Sequence, residues 1–194
     1  MKNKVLALLI GLTMVFASFT TAFAGNWIGL RSAGADDEVA VEKQVMNNLE
    51  MVKAGKYTAI DTAKMKSFVD SKAKGNKNIV IIDAMPQSSW DATHIPGAVC
   101  CETTMGKWMN AEYKLTAAQK NALKKAVKGK KKSTVKVITY CGFCQCDRSH
   151  FAAKYIKSLG YKNVYRYIGG GAAWEDSKYD FENSKGETVK AKTK

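Results

Sequence analysis

Proline, histidine and arginine are scarce: there are two prolines, two histidines, and arginine only at positions 31, 148 and 166 of 194 residues. Lysine therefore supplies nearly all of the 31 basic residues that face 17 acidic ones, for a net charge of +14. Planar, bidentate recognition of phosphates and guanines favours arginine, so a lysine excess of this kind does not point to nucleic acid. With 46% apolar and 25% charged residues, the composition excludes a disordered or collagen-like polymer and fits one globular domain with some extra length. No internal repeat of useful length is present. Cysteine occurs at 100, 101, 141, 144 and 146, an odd and clustered set unlike a disulfide framework spread over a small secreted fold.

The N-terminus orders its residues as an export signal does. Lys2 and Lys4 precede an uncharged apolar run from Val5, which ends at Ala22-Phe23-Ala24 before Gly25. Residues 1–24 are expected to be a signal peptide, and the protein to be periplasmic or secreted. The run Val5 to Ala24 is long enough to span a bilayer, so an uncleaved signal would be the one membrane attachment. No cysteine follows the run to accept a lipid. Cleavage would remove two lysines and lower the net charge from +14 to +12. In an oxidising compartment free thiols call for a redox partner or a function.

Periodicity then predicts the elements. Asp36-Asp37-Glu38 followed by Val39, Val41, Val45, Met46, Leu49 and Val52 predicts a helix from about 37 to 54, ending near Gly55. Residues 25–55 thus form an N-terminal helical arm. Asp61 should cap a second helix from Thr62 to about Lys72. Ile79 to Ile82 is a short β-branched run suited to a strand covered on both faces. Thr116-Ala117-Ala118-Gln119 is a capping box opening a helix to about Val127. Val135 to Tyr140 is a second buried strand, Ser149 to Leu159 a helix closed by Gly160, and Val164 to Tyr167 a third strand, followed by Gly169-Gly170-Gly171 and Trp174. Residues 56–184 make the domain, and the lysine-rich 185–194 are expected to be a disordered tail. Alternating strands and helices predict an α/β fold with a largely parallel sheet.

Cys141, Cys144 and Cys146 fall between a buried strand and a helix N-terminus, the edge where open parallel sheets bind ligands. Unpaired N–H groups there favour a thiolate, which is the nucleophile. Cys141-Gly142-Phe143-Cys144 has thioredoxin spacing, but that fold needs a proline after the motif, and Pro86 and Pro96 both lie before it. An arginine-loop phosphatase would need arginine where Asp147 stands. Haem attachment would need histidine where Gln145 stands. The C-x2-C-x-C spacing suits zinc or copper(I), though a second C-x2-C pair is missing, and no cofactor or metal is expected.

The sequence resembles the rhodanese family of sulfurtransferases. The resemblance rests on Ile82-Asp83, on Trp90-Asp91-Ala92-Thr93-His94-Ile95-Pro96-Gly97-Ala98, on Tyr140-Cys141 with Arg148-Ser149 and Ala152-Ala153, and on Gly160-Tyr161, Asn163-Val164-Tyr165, Gly169-Gly170 and Trp174. It implies a three-layer α/β domain with a five-stranded parallel sheet, here preceded by a helical extension. It also implies that Cys141 takes sulfane sulfur from a small donor, carries it as a persulfide cradled by loop N–H groups, and passes it to an acceptor thiol. A periplasmic protein is a further partner to consider. Cys146 matches a resolving cysteine found in a similar subset of exported members, and Gly142, Phe143, Cys144, Arg148 and Ser149 would line the substrate site. Six residues separate Cys141 from Arg148 where the family usually has four, which implies a different or larger substrate. The arginine that the family commonly carries after the strand-two aspartate is absent, since Asp83 is followed by Ala84 and Met85.

Two other classes stay open: a thiol-disulfide oxidoreductase using Cys141 with Cys144 or Cys146, and a non-catalytic module that binds a metal or a partner. Cys100 and Cys101 have two readings. Either Cys100 or Cys101 bridges to Cys144 or Cys146 or relays oxidation from Cys141, or both are small buried side chains. Arg148 either orients an anionic donor or holds the loop through backbone carbonyls. His94 is expected to order its turn by hydrogen bonding, and His150 to be a surface residue.

Overall fold

Two runs of consecutive apolar residues make the centre of the molecule. In the computed structural model, which describes residues 38–104 and 114–192, strands β2 (Ile79–Asp83) and β4 (Lys136–Tyr140) lie side by side and are buried except at Lys136. β1 (Thr58–Ile60), β3 (Ala98–Cys100) and β5 (Asn163–Tyr167) complete a parallel sheet in the order β1-β5-β4-β2-β3. Successive side chains point to opposite faces of a strand, so each buried strand feeds two cores. Val80, Ile82 and Val137 join one cluster with Leu123, Ala152, Ala153 and Ile156. Ile79, Ile81, Ile138 and Tyr140 join the other with Met65, Phe68, Tyr167 and Trp174. Truncating a fully buried isoleucine such as Ile138 to alanine would cost about 2–5 kcal/mol.

Four of the described helices start within a residue of where the sequence places them, and for those at Gln87–Ala92 and Gly170–Asp176 the sequence sets no bounds. Helix α1 (Glu38–Gly55) leads into β1, and α2 (Thr62–Ala73) is capped by Asp61, whose carboxylate accepts from the Lys64 N–H at 2.8 Å. α3 (Gln87–Ala92) follows β2, and α4 (Ala117–Ala126) opens with the capping box of Thr116 and Gln119. α5 (Arg148–Ser158) follows β4, and α6 (Gly170–Asp176) follows β5. Contacts divide the chain into units 1–43 and 44–194, and residues 38–43 of α1 are the described part of the first. No described helix is long and apolar enough to cross a membrane. The expected signal peptide at 1–24 lies outside the described residues.

Two expectations need correction. Val45, Met46 and Leu49, which gave α1 its apolar periodicity, are exposed. The face turned to the core instead carries Gln44, Asn48 and Met51, because it meets polar groups of the cysteine loop and of β5. The stretch expected as a disordered tail is structured as far as it is described: β6 (Phe181–Glu182) and β7 (Thr188–Val189) pair antiparallel. An Asn183 side chain that accepts from the N–H groups of Lys185 and Glu187 folds the turn between them.

Candidate active site

Cys141 is the first residue past β4, the strand in the middle of the sheet, and it lines a cavity of about 280 Å³. The floor is built by the strand ends. Tyr140 donates to Asp83 Oδ2 at 2.7 Å and accepts from the Ile95 N–H at 2.9 Å, while the Met85 N–H donates to Asp83 Oδ1 at 2.9 Å. Burial pushes the Asp83 carboxyl above its ordinary range and holds the Tyr140 phenol well above its own. His94, Met85, Gly142, Gly171 and Glu175 add to the wall, and the C-terminal segment closes it with Phe181, Val189, Lys190 and Lys192.

The loop after Cys141 is held from below by the start of α6. The N–H groups of Gly171 and Ala172 donate to the carbonyls of Cys141 and Gly142 at 2.9 and 2.8 Å. This close approach needs glycine at 170, where φ is +63° and a Cβ would lie 2.3 Å from the Cys141 carbonyl oxygen. At the far end Asp147 precedes α5, and the Cys146 N–H donates to the Phe143 carbonyl at 3.0 Å.

The cysteines separate into three environments. Cys141 and Cys146 are buried neighbours. The Cys141 thiol donates to the Cys146 carbonyl at 3.1 Å. Acting chiefly through the hydrogen bond from Cys141, with help from the Arg148 and Gly142 N–H groups, the loop brings the Cys146 thiol down to about 7. Burial pushes Cys141 up. Of the two thiols, Cys146 is therefore the one that loses its proton more readily. Cys144 is exposed, beside an exposed Phe143, and its carbonyl accepts from Gln44 Nε2 at 3.0 Å.

Cys100 ends β3 and Cys101 follows it at the same sheet edge, but their thiols point to backbone carbonyls, of Met85 at 3.9 Å and Ala122 at 3.6 Å. Burial raises their thiols to about 11 and about 12. All five cysteines are unbridged, and neither residue of this pair lines the cavity, so the geometry favours the small buried side chain over the redox relay.

Other candidates settle as follows. Arg148 donates to the Thr103 carbonyl and so holds the loop rather than facing the cavity. Ser149 is buried with Oγ 3.2 Å from the Cys141 sulfur. Of the residues expected to bind substrate, Gly142 lines the cavity, while Phe143, Cys144, Arg148 and Ser149 do not. His94 orders its turn as expected, with ring nitrogens at 2.7 Å from the Trp90 carbonyl and 3.3 Å from Glu182. His150 is not on the surface: it is 2% exposed, its Nδ1 sits 2.9 Å from the Tyr57 hydroxyl, and burial lowers its pKa to about 3, so it is neutral. An apolar face that includes Ala153 and Ile156 takes α5 into the core, and the first turn follows it. Among the described residues, no three histidine, cysteine or acidic side chains are gathered as a metal-binding group.

The sequence reading missed Arg166, which is fully buried under the loop, and the C-terminal lysines of the cavity wall. A polar residue alternating with aromatic ones in Val164-Tyr165-Arg166-Tyr167 was the available signal for the first.

Comparison with known proteins follows the same outline. The thiosulfate sulfurtransferase of Pseudomonas aeruginosa shares the fold with a TM-score of 0.52 at 16% identity, over 78% of this chain and 24% of that one. The BH2092 protein of Bacillus halodurans gives 0.49 at 20% identity, over 81% and 95%. The polysulfide-sulfur transferase of Wolinella succinogenes gives 0.48 at 17%, over 73% and 91%. None of the curated proteins matches the sequence. The rhodanese-like domain model matches residues 69–177, more than half of the chain, from helix α2 through the cysteine loop to the end of α6. On that match the chain belongs to the rhodanese-like family.

Proposed function

We propose that this protein is an exported sulfurtransferase that moves sulfane sulfur through a persulfide on Cys141. The observation that carries the reading is the position of Cys141. It is the one cysteine that both directly follows the middle strand and lines the cavity, with the Ser149 hydroxyl 3.2 Å from its sulfur. The fold shared with a thiosulfate sulfurtransferase supports it.

Cys146 supplies the base. As a donor enters, the Cys141 proton passes to the Cys146 thiolate, and the freed Cys141 thiolate attacks the outer sulfur of the donor. With thiosulfate, the Cys141 S–S bond forms as the donor S–S bond breaks, and sulfite leaves with the electron pair. The outer sulfur of the persulfide then accepts attack by an incoming thiolate, which restores the Cys141 thiolate and releases the acceptor as a persulfide. Lys190 and Lys192 give the cavity mouth a positive side for an anionic donor.

Purified protein incubated with thiosulfate or polysulfide should gain one sulfur atom on Cys141 by mass spectrometry. The gain and the turnover should both vanish in Cys141→Ala. Turnover that persists in that variant would overturn the assignment.

The hydrogen-bonded Cys141–Cys146 pair supports a second reading, a thiol-disulfide oxidoreductase. Cys146 rather than Cys144 is then the partner, since Cys144 is exposed. A Cys141–Cys146 disulfide in non-reduced peptides, with loss of dithiol oxidation in Cys146→Ser and no persulfide on Cys141, would select it over sulfur transfer.

A further inference from the structure

Arg166 is fully buried on β5, yet no acceptor of its described hydrogen bonds carries a charge. Nε donates to Ser149 Oγ at 2.9 Å, Nη2 to the Cys146 carbonyl at 2.9 Å, and Nη1 to Asn48 Oδ1 at 3.1 Å and the Met51 sulfur at 3.4 Å. Tyr57 is a further neighbour, and burial keeps its phenol neutral by raising it to about 12. A guanidinium does not lose its proton in a protein, and withdrawing it from water is costly unless something negative repays the loss. Two of its acceptors are the groups that touch the Cys141 sulfur: Ser149 Oγ at 3.2 Å and the Cys146 carbonyl at 3.1 Å.

We propose that Arg166 is a positioning residue that prepares the Cys141 sulfur for negative charge, acting through Ser149 and the Cys146 carbonyl. Because Nε–H donates to Ser149 Oγ, that oxygen is used as an acceptor, and its own hydrogen is left to point at the sulfur. In the thiol state Cys141 donates to the Cys146 carbonyl. Once the proton has moved to Cys146, the Ser149 hydroxyl donates to the Cys141 thiolate. The Arg166 Nη2 hydrogen bond draws electron density from the carbonyl, which weakens its repulsion of the new charge. Asn48 and Met51, both from helix α1, hold the other edge of the guanidinium. A persulfide anion on Cys141 would be supported in the same way.

The inference rests on Cys141 being the nucleophile of the proposed function, but its test does not require sulfur transfer. The rate of Cys141 alkylation by iodoacetamide is measured against pH, with the modified residue located by peptide fragmentation. Other groups also bear on the sulfur. Cys146, Asp147 and Arg148 belong to the loop and the start of α5, and His150 and Tyr57 lie beside Arg166. Across the cavity stand Asp83, Tyr140 and His94, with Glu175 on α6 and Lys190 and Lys192 on the C-terminal segment. They are common to every variant compared, so a change in midpoint reports the substitution.

Arg166→Met, close in length but neutral, should raise the midpoint by about one pH unit and slow alkylation near pH 7 about tenfold. Arg166→Lys keeps the charge and loses the two-pronged hydrogen bonding, so it should restore part of the shift. Ser149→Ala leaves the guanidinium in place and should move the midpoint in the same direction. A folded Arg166→Met protein with the wild-type profile overturns the proposal. Should Arg166→Met fail to fold, an unshifted midpoint in Ser149→Ala overturns it and a raised one supports it. A wild type that transfers no sulfur, together with a raised midpoint in Arg166→Met, would defeat the sulfurtransferase reading and leave Arg166 in its role.

Discussion

Single residues under the cysteine loop make its chemistry depend on pH in two ways. The first concerns reactivity. Hydrogen bonding from Cys141 brings the Cys146 thiol down to about 7, which makes it the base of the pair. Cys146→Ser removes that base, and although Cys146 adds to the raised pKa of Cys141, burial, its chief cause, remains. The variant's sulfur transfer at pH 7 should fall at least about tenfold and recover as pH rises. Equal rates for the two proteins between pH 6 and 9 would show that Cys146 does not take the proton. The second concerns stability. His150 is buried neutral, with a pKa of about 3 against an ordinary 6.5. Between those values the unfolded chain holds a proton that the folded chain does not, so stability falls as pH drops from about 6.5 toward 3, by up to ~1.4 kcal/mol per unit, and is unaffected above. Urea unfolding at pH 7 and pH 5 should show this loss in the wild type and a smaller one in His150→Asn. An unchanged difference would assign the acid sensitivity to other groups.

At the scale of elements, the loop's shape depends on a helix that comes after it in the chain. Helix α6 places two N–H groups on the carbonyls of Cys141 and Gly142, and it comes close enough to do so because residue 170 has no side chain. Gly170→Ala should therefore cost more than its positive φ alone, about 1–3 kcal/mol in stability, and should abolish transfer by pushing the loop away. A variant with wild-type Tm and turnover would show that the contact is dispensable. The elements most legible in the sequence were those with a local signature. Asp61 and Thr116 cap their helices as their side chains predict, and the β-branched centres of β2 and β4 are buried. β1 and β3 each have three residues, some of them exposed, so no periodicity marks them, and only the family resemblance implied five strands. Cys141, Cys146 and Ser149 could be placed together because one loop carries them. Arg166, Asn48 and the C-terminal lysines could not, since sequence spacing holds no information on which distant residues a sheet brings beneath one of its loops.

Across the whole molecule, the cavity draws its walls from the ends of β2 and β4, the turn at His94, helix α6 and the last described residues of the chain. The C-terminal segment is fastened at several points. The Glu182 carbonyl accepts from the His94 N–H at 2.8 Å, the Glu182 side chain lies 3.3 Å from the His94 ring, and Lys190 pairs with Asp180 at 2.8 Å. A net charge of +14 names no partner by itself, but two of its lysines line the cavity. Exposed charges of this kind are each worth only about 0.3–1 kcal/mol and are screened by salt within about 10 Å at 0.1 M. Replacing both Lys190 and Lys192 by alanine should then raise KM for thiosulfate about two- to tenfold at low salt, with kcat and the rate of Cys141 alkylation by neutral iodoacetamide little changed. Added salt should raise the wild-type KM toward that of the variant. If KM stays at the wild-type value in the double variant, the C-terminal segment serves to close the fold around His94 and takes no part in selecting an anionic donor.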